Sequence, residues 1–363
     1  MTLRWSDYVL ARGDDVDAAW AEAGKAGGTV FILGEGFDPR AVFTLKRLIE
    51  GGAAADLSVI SLSLASPGGD SERATMAATN VAELEALAAS RSIRHERIPY
   101  PDAVHEPRSI GRLLFESLYA TELFQSAKHL VVDVSALPTG VYFAIIAGVL
   151  DMAEADQFDG ELQVVVAENA ALDSHIQGVG VETPTAIRGF TFDVELDPRA
   201  TRPVIVWAPV IGENALPQLE AIQQALVPDE ICPVLPFPAY NPRRADKLLL
   251  ELRELLIDGL EVEPANFIYA DESNPFDLYR GLSRLHDRYR AALQPLGDAA
   301  VVVSIHSSKT LSLGALLSAY ERRMPIVNAS YERHYAFESA KVTPELIAAT
   351  RVATLWLFGT PTR

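Results

Sequence analysis

Hydroxyl side chains and one lysine follow an apolar segment late in the chain, a combination suited to binding an anion. Val301–Ser304 is a nearly continuous apolar run, which predicts a buried parallel strand, and the next helix is expected to open at Ser312 or just before it. The intervening residues of interest are His306, Ser307, Ser308, Lys309 and Thr310. Helix N-termini bind anions, and open α/β sheets bind ligands at the carboxyl ends of their strands. We therefore predict an anion site here, the alternative being a polar loop with a solvated lysine.

His306 is also a candidate acid or base near neutral pH, but no serine–histidine–carboxylate spacing can be verified, so catalytic residues stay unassigned.

A glycine turn, Gly34–Arg40, follows an apolar run near the start of the chain. Gly34 and Gly36 allow a tight turn or the close approach of a ligand. The next glycine of a dinucleotide fingerprint would fall at position 39, which is Pro39, so we exclude dinucleotide binding. Asp38 is predicted to cap a helix that begins at Pro39, and Arg40 is either structural or directed at a ligand.

Two adjacent arginines, Arg243 and Arg244, follow another predicted strand. Guanidinium groups bind phosphate or carboxylate in a bidentate manner, although pairing with nearby acids is an equal alternative. The loop Asp271–Asp277 is acidic, but a metal site needs convergent oxygens in a defined geometry. We expect no metal and no cofactor, and we expect Asp277 to cap the helix that follows.

The composition describes a globular protein with a strongly negative charge. The chain has 363 residues, 49% apolar and 22% charged, which is enough for two domains, and its net charge is −18. This charge argues against duplex nucleic-acid binding but allows a local basic pocket for a small anion. The single cysteine, Cys232, excludes intrachain disulfides and cysteine-cluster metal sites, and we expect it to be buried and inert. We see no signal peptide and no apolar run of membrane-spanning length, so a cytoplasmic protein without membrane contact is expected.

Strand-like and helix-like segments alternate through the chain, which predicts an α/β protein. We expect two tandem Rossmann-like domains, each with a mostly parallel sheet and helices on both faces. The predicted domains are residues 1–169 and 201–363, and a Gly-, Pro-, Thr- and Asp-rich connector spans 170–200. The halves repeat the same order of elements and loops, which indicates an internal duplication. The first-half loop equivalent to Ser307–Thr310 has no lysine but contains Ser135 and Thr139.

The segment Pro203–Ala329 resembles the CRISPR-associated Rossmann fold (CARF) domain family. Val204–Gln223 is similar to the family's first strand, ligand-facing loop and helix, and Ala300–Tyr320 is similar to a later strand, loop and helix. Lys309 occupies the position of the family's loop lysine, with Ser308 in place of a threonine. His306 and Ser307 stand where the family has two loop glycines, and their side chains limit how closely the loop backbone can approach a phosphate.

The resemblance implies a sensor of cyclic oligonucleotides with a cleft between two such domains, and a role in prokaryotic antiviral defence. It also implies that the loop Gly212, Glu213, Asn214 faces the ligand. We therefore expect a non-catalytic protein that binds a nucleotide or similar anion between its halves and signals to a separate partner. One alternative is a scaffold subunit of a defence complex with a degenerate site. A less favoured alternative is a nucleotide-cleaving enzyme that uses Lys309 with His306 or a serine.

Overall fold

The chain forms two compact α/β units. The computed structural model describes residues 3–23, 27–52, 56–64, 71–101, 110–173, 176–187, 189–191, 203–294, 299–329, 333–337 and 342–359. The first unit comprises Trp5–Gln177 and Ala336–Arg363, and the second comprises Met1–Arg4 and Gly178–Tyr335.

The strands coincide closely with the β-branched and apolar runs of the sequence. In chain order they are β1 (Val9–Arg12), β2 (Thr29–Glu35), β3 (Leu57–Ser63), β4 (Arg94–Ile98), β5 (His129–Asp133), β6 (Glu161–Glu168), β7 (Ile176–Val179), β8 (Thr185–Ala186), β9 (Val204–Val210), β10 (Glu230–Ile231), β11 (Val234–Pro236), β12 (Ile268–Ala270), β13 (Ala299–Ile305), β14 (Ile326–Asn328), β15 (Arg333–Phe337) and β16 (Arg351–Phe358).

The helices fall between the strands, as the alternation predicts. In chain order they are α1 (Asp15–Ala23), α2 (Phe43–Glu50), α3 (Ser71–Ser90), α4 (Ile110–Tyr119), α5 (Glu122–Gln125), α6 (Thr139–Glu154), α7 (Ala170–Asp173), α8 (Leu216–Leu226), α9 (Arg244–Glu251), α10 (Pro275–Leu293), α11 (Lys309–Arg322) and α12 (Pro344–Ala348). A π-helical turn, Glu254–Gly259, and a 3₁₀ turn, Pro264–Asn266, follow α9. None of the helices in the described ranges combines the length and the apolar character that a membrane span needs.

The two units have sheets of the same strand order. The first sheet runs β1-β16-β6-β5-β2-β3-β4, with β6 to β4 parallel and β16 antiparallel to both β6 and β1. The second runs β12-β11-β9-β13-β14-β8, in which β8 is antiparallel to β14 and β10 pairs beside β9. Counted in order of appearance, the parallel strands of each sheet therefore lie 3-2-1-4-5 and are followed by an antiparallel strand. This common order is the repetition that the sequence predicts, and the α/β fold class is confirmed.

Helices cover both faces of each sheet. In the first unit, α1, α2 and α3 bury apolar side chains against β2 and β3 on one face, while α4 packs on α6. In the second unit, α8 and α9 pack against Trp207, Leu235 and Val302 on one face, while α10 packs on α11. In the first sheet, β2 is followed by a helix on one face and its neighbour β5 by a helix on the other, so a topological switch point lies between them. In the second sheet, β9 and its neighbour β13 are related in the same way.

The predicted domain boundaries differ from the two units in two places. The second unit begins at Gly178, inside the predicted connector 170–200, where β8 extends the second sheet. The last segment, predicted to belong to the second domain, instead completes the first unit, since β16 lies between β1 and β6. Leu355, Trp356 and Leu357 of this strand are buried. The apolar run of β16 reveals a strand, but nothing in its pattern specifies which sheet edge it covers.

Candidate functional site

The candidate site of the second unit lies at its topological switch point, where β9 and β13 are neighbours. The loop after β9 contains Gly212, Glu213 and Asn214, and the loop after β13 contains His306, Ser307 and Ser308. The sheet order therefore brings together the two loops that carry the resemblance, at the edge where α/β sheets bind ligands.

Gly212 makes the close packing of these two loops possible. A Cβ atom at this position would lie 2.0 Å from the carbonyl oxygen of His306 and 2.8 Å from the Cα of Ser307. The N–H of His306 donates to the carbonyl of Val210 at 2.8 Å, which extends the β9–β13 ladder into the loops. Asn214, also in this loop, has a left-handed φ of 58°, a conformation that asparagine tolerates. The glycine thus serves loop-to-loop packing at the position where the resemblance implies ligand contact.

His306 belongs to a chain of hydrogen bonds that fixes its proton. The indole N–H of Trp207 donates to Ser304 Oγ at 2.9 Å, and Ser304 Oγ lies 2.9 Å from His306 Nε2. His306 Nδ1 lies 3.3 Å from Oε1 of Gln218, whose amide nitrogen donates to the Ala329 carbonyl at 2.7 Å. Because the amide oxygen of Gln218 can only accept, Nδ1–H of the neutral ring donates to it, and Nε2 accepts the hydroxyl proton of Ser304.

Burial lowers the pKa of His306 to about 3, so the ring is neutral at physiological pH. Both nitrogens are engaged, and the ring connects β9, β13, α8 and the end of β14. This geometry favours a structural role for His306 over the acid–base role that its residue type suggested.

Helix α11 begins three residues earlier than the sequence indicated. Ser308 is its N-cap, and Ser308 Oγ accepts the N–H of Leu311 at 3.3 Å, whereas Ser312 Oγ donates to the Lys309 carbonyl at 2.7 Å. The prediction that Ser312 or a residue just before it opens the helix is therefore wrong, because a serine after the strand captures an N–H of the first turn. Lys309 consequently starts the helix.

The other hydroxyls of this loop differ in their surroundings. Thr310 is 2% exposed in the first turn of α11. The Oγ of Ser307 is buried and has no hydrogen-bond partner within the described ranges. A buried hydroxyl without a partner is uncommon, and it lies here directly before a helix N-terminus.

Arg244 pairs with acids of its own unit. Its Nε and Nη2 donate to the two carboxylate oxygens of Glu213, and its Nη1 donates to Glu272, each at 2.7 Å. Glu272 is 7% exposed and also accepts the N–H of Tyr240 at 2.9 Å. Burial acts to raise the pKa of Glu213, but the hydrogen bonds and positive charge of Arg244 outweigh it and lower that pKa. Of the two alternatives for Arg244, pairing with local acids is the one observed, while Arg243 is exposed.

The acidic loop is organised by hydrogen bonds within itself. Asp271 accepts the N–H and hydroxyl of Ser273, and Asp277 accepts the N–H of Asp271. Asn274, rather than Asp277, caps α10 by accepting the N–H of Phe276. The prediction for Asp277 is wrong because Asn274 stands directly before the helix, whereas Asp277 already lies in its first turn. No group of three metal-ligating side chains is found in the described part of the chain.

Arg40 in the first unit is buried among acids. It is 4% exposed, it pairs with Asp38 at 2.8 Å and with Asp173 at 2.7 Å, and it donates to the Ala167 carbonyl at 3.4 Å. Burial acts to lower the pKa of Arg40, but the two aspartates outweigh it and raise that pKa. The predicted helix start is also wrong: α2 begins at Phe43, since Asp38 holds Arg40 instead of capping a helix.

The remaining first-unit candidates are mostly packing positions. A Cβ on Gly34 would lie 2.8 Å from both Leu137 and Leu64, whereas Gly36 has nothing nearer than 3.8 Å. Ser135 is 1% exposed, and its Oγ accepts the N–H of Ala167 at 2.8 Å. Thr139 is half-buried and starts α6. In this unit the structure therefore places Gly34, Arg40 and Ser135 in structural roles.

Cys232 is fully buried, as predicted, and its Sγ lies 3.6 Å from the hydroxyl of Tyr289. Burial raises the pKa of this thiol, and a protonated thiol is a poor nucleophile.

A polar cluster on β2, β3 and β4 was missed by the sequence analysis. It consists of Glu35, Ser61, His95 and Arg97, joined by hydrogen bonds of 2.6 to 2.8 Å. The four residues share one face of the sheet, because Leu33, Ser61 and Arg97 are aligned across the strands and Glu35 and His95 each lie two residues away on their own strands. Without the strand order, these positions cannot be recognised as neighbours.

The comparisons with known proteins leave the family open. No family model matches the chain, and no curated protein matches it. Among solved structures, the chain is similar to a universal stress protein from Archaeoglobus fulgidus DSM 4304, with 12% sequence identity and a TM-score of 0.25. That likeness covers 84% of this chain and 97% of the other, and at this TM-score it carries no argument about function.

Proposed function

We propose that the second unit binds a nucleotide or similar small anion at the start of α11, and that the protein is a non-catalytic sensor for a separate partner in prokaryotic antiviral defence. The observation that carries this proposal is the placement of the Ser307–Thr310 loop. It follows the central strand β13 at the switch point and leads directly into a helix capped by Ser308. N–H groups at such a helix start bind phosphate oxygens.

Two further features support an anion at this position. The buried Ser307 hydroxyl supplies a hydrogen-bonding group without a partner in the described chain. Lys309 places an ammonium on the first turn, and the resemblance to CARF domains rests on this same lysine and its flanking hydroxyls. Arg244 contributes no net positive charge, because two carboxylates surround it.

The state of His306 supports binding rather than catalysis. Its two ring nitrogens are held by Ser304 and Gln218, so this ring does not offer a base to a substrate. A nucleotide-cleaving reaction in this loop would need a proton acceptor, and His306 is the titratable ring that the sequence places there.

A binding assay with a matched control tests the proposal. The melting temperature is measured with cyclic and linear oligonucleotides for the native protein, Lys309→Ala and Lys247→Ala, since Lys247 is an exposed lysine on α9 of the same unit. A ligand that binds only the native state raises the melting temperature in a concentration-dependent way. We expect a rise for the native protein and Lys247→Ala, and its loss in Lys309→Ala. An equal rise in all three proteins, or no rise with any nucleotide, contradicts the proposal.

A scaffold with a degenerate site is the second candidate, and the contact between Gly212 and His306 favours it. The two loops that would open around a ligand at the switch point touch through their backbones. For a scaffold, a partner identified by co-purification binds the native protein and Lys309→Ala equally, and added nucleotide leaves that affinity unchanged.

A further inference from the structure

The polar cluster of the first unit joins side chains from three neighbouring parallel strands. Ser61 Oγ lies 2.6 Å from Glu35 Oε1 and 2.8 Å from His95 Nε2. Arg97 reaches Glu35 Oε2 through Nε at 2.7 Å and through Nη2 at 2.6 Å. The strand register explains the convergence: Ser61 is opposite Arg97, and His95 is two residues before Arg97 on the same face of β4.

The hydrogen bonds assign the protons of this cluster. A carboxylate only accepts, and Arg97 already donates twice to Oε2, so the Ser61 hydroxyl donates to Oε1 of Glu35. Its oxygen then accepts from His95, which places a proton on Nε2. Burial lowers the pKa of His95, with Arg97 acting in the same direction, while Glu35 and Glu85 oppose them. At neutral pH the ring is therefore neutral, and Nδ1 carries a lone pair.

Two nitrogen atoms of the cluster, His95 Nδ1 and Arg97 Nη1, are not used in its internal hydrogen bonds. Glu35 and Ser61 are buried, at 4% and 0% exposure, whereas His95 is half-buried and the side chain of Arg97 is 52% exposed. In the described part of the chain, no residue hydrogen-bonds to His95 Nδ1 or to Arg97 Nη1. The inner edges of both side chains face the buried carboxylate and its hydroxyl, and the exposed half of Arg97 faces solvent.

Arg97 pairs with fewer carboxylates than two other arginines of this chain. Arg40 pairs with two aspartates, and Arg244 pairs with two glutamates. Arg97 pairs with the single carboxylate of Glu35, and half of its surface is open. A guanidinium offers five N–H groups, which suffice for two oxyanions.

We propose that this cluster is a phosphate site of the first unit, in which Arg97 pairs with the phosphate of a small molecule and His95 Nδ1 accepts the phosphate's remaining proton. Side chains two residues apart on a strand lie about 7 Å apart, a span that one hydrogen-bonded phosphate bridges. A phosphate monoester has a second pKa of about 6 and therefore has a proton to share near neutral pH. Ser61 and Glu35 are positioning residues: they hold the His95 proton on Nε2 and stabilise positive charge on the ring.

The site stands apart from the one proposed at α11, because its residues all belong to the first unit and include none of that loop. It spans β2, β3 and β4, and its Glu35 is the last residue of the switch-point strand β2. The ligand can be free phosphate or the phosphate of a nucleoside monophosphate, so the test compares both with sulfate, which has no proton to donate at neutral pH.

Nitrogen-15 NMR of the histidine rings is the direct test, with the His95 signals assigned through His95→Gln. Without ligand we expect the proton on Nε2. Added phosphate should shift the Nδ1 signal of the neutral His95 ring at neutral pH, and sulfate should have a much smaller effect there, because it cannot hydrogen-bond to Nδ1 until the ring itself takes up a proton. If a nucleoside monophosphate affects the His95 signals more strongly than free phosphate does, the ligand is a nucleoside monophosphate. A proton on Nδ1 in the free protein, or equal effects of phosphate and sulfate at neutral pH, overturns the proposal.

Variants separate the site from general charge effects. The double variant Glu35→Gln/Arg97→Gln avoids an unpaired buried carboxylate, and it should abolish the response of His95 to phosphate. Arg94→Gln is the matched control, because Arg94 lies on the same strand, points to the opposite face and pairs with Glu122 at 3.2 Å. The response should persist in Arg94→Gln and in Lys309→Ala. Its persistence in the double variant, or its loss in Arg94→Gln, contradicts the assignment.

Discussion

Gly212 and His306 touch through their backbones, so that a Cβ atom on Gly212 would lie 2.0 Å from the carbonyl oxygen of His306. The contact joins the loops after the two central strands of the second sheet. It leaves no room for a side chain at position 212, and it sets the distance between the two loops at the proposed ligand site.

Gly212→Ala is therefore expected to destabilise the second unit, because the methyl group meets the carbonyl oxygen of His306, whose N–H is hydrogen-bonded to Val210. We expect a loss of about 1–3 kcal/mol in the free energy of unfolding, measured with urea. Gly281→Ala is the control, since a Cβ there makes an ordinary contact of 3.7 Å in the interior of α10. It should be neutral or stabilising by up to about 1 kcal/mol. Equal stability of both variants would show that the loops separate easily.

Ser304→Ala should remove the central hydroxyl between Trp207 and His306. The indole N–H and the imidazole Nε2 then lose their partner inside the unit, at an expected cost of about 1–3 kcal/mol. A double-mutant cycle with Trp207→Phe, followed by urea unfolding, should give a coupling energy of at least about 0.5 kcal/mol. Strict additivity of the two substitutions would mean that the hydroxyl does not hold this hydrogen bond.

The neighbouring arginines Arg243 and Arg244 provide a matched pair. Arg244→Gln leaves the buried Glu272 without its cation, and we expect a loss of about 3 kcal/mol in unfolding free energy. Arg243→Gln alters an exposed side chain and should change stability by less than about 0.5 kcal/mol. Comparable effects of the two substitutions would contradict the assignment of Arg244 to the internal ion network.

The stability of both units should fall as the pH decreases below about 6.5, the usual pKa of histidine in an unfolded chain. Burial lowers the pKa of His129 in the first unit to about 4 and that of His306 in the second to about 3. Between these values and 6.5 the unfolded chain binds more protons than the folded chain, so acid favours unfolding. For His129, which is 2% exposed, the full effect is roughly 3 kcal/mol.

Urea unfolding at several pH values between 7 and 4 measures this loss. His129→Gln should reduce the slope of stability against pH, because glutamine does not titrate. A slope that is unchanged in the variant would mean that His129 does not contribute.

The sequence predicted the strands and helices well because each apolar run is local information. It could not predict which distant residues meet. Arg40 and Asp173 are 133 residues apart, and their ion pair replaced the local capping that Asp38 and Pro39 indicated. The cluster around Glu35 was missed for the same reason, since its members lie on three strands whose order only the fold reveals. At the α11 loop, the residue types led to the prediction of an anion site. The packing of Gly212 and the hydrogen bonds of His306 could not be predicted, because they depend on β9 and β13 being neighbours.

The position of β16 has a consequence for how the protein is made. This strand lies inside the first sheet, between β1 and β6, yet it follows the whole of Gly178–Tyr335 in the chain. All of the second unit is synthesised before it. During translation, the second unit can thus complete its sheet first, while the unit begun earlier waits with β1 unpaired and the edge of β6 open. A prematurely terminated chain would retain the later-made unit and lose the integrity of the earlier one.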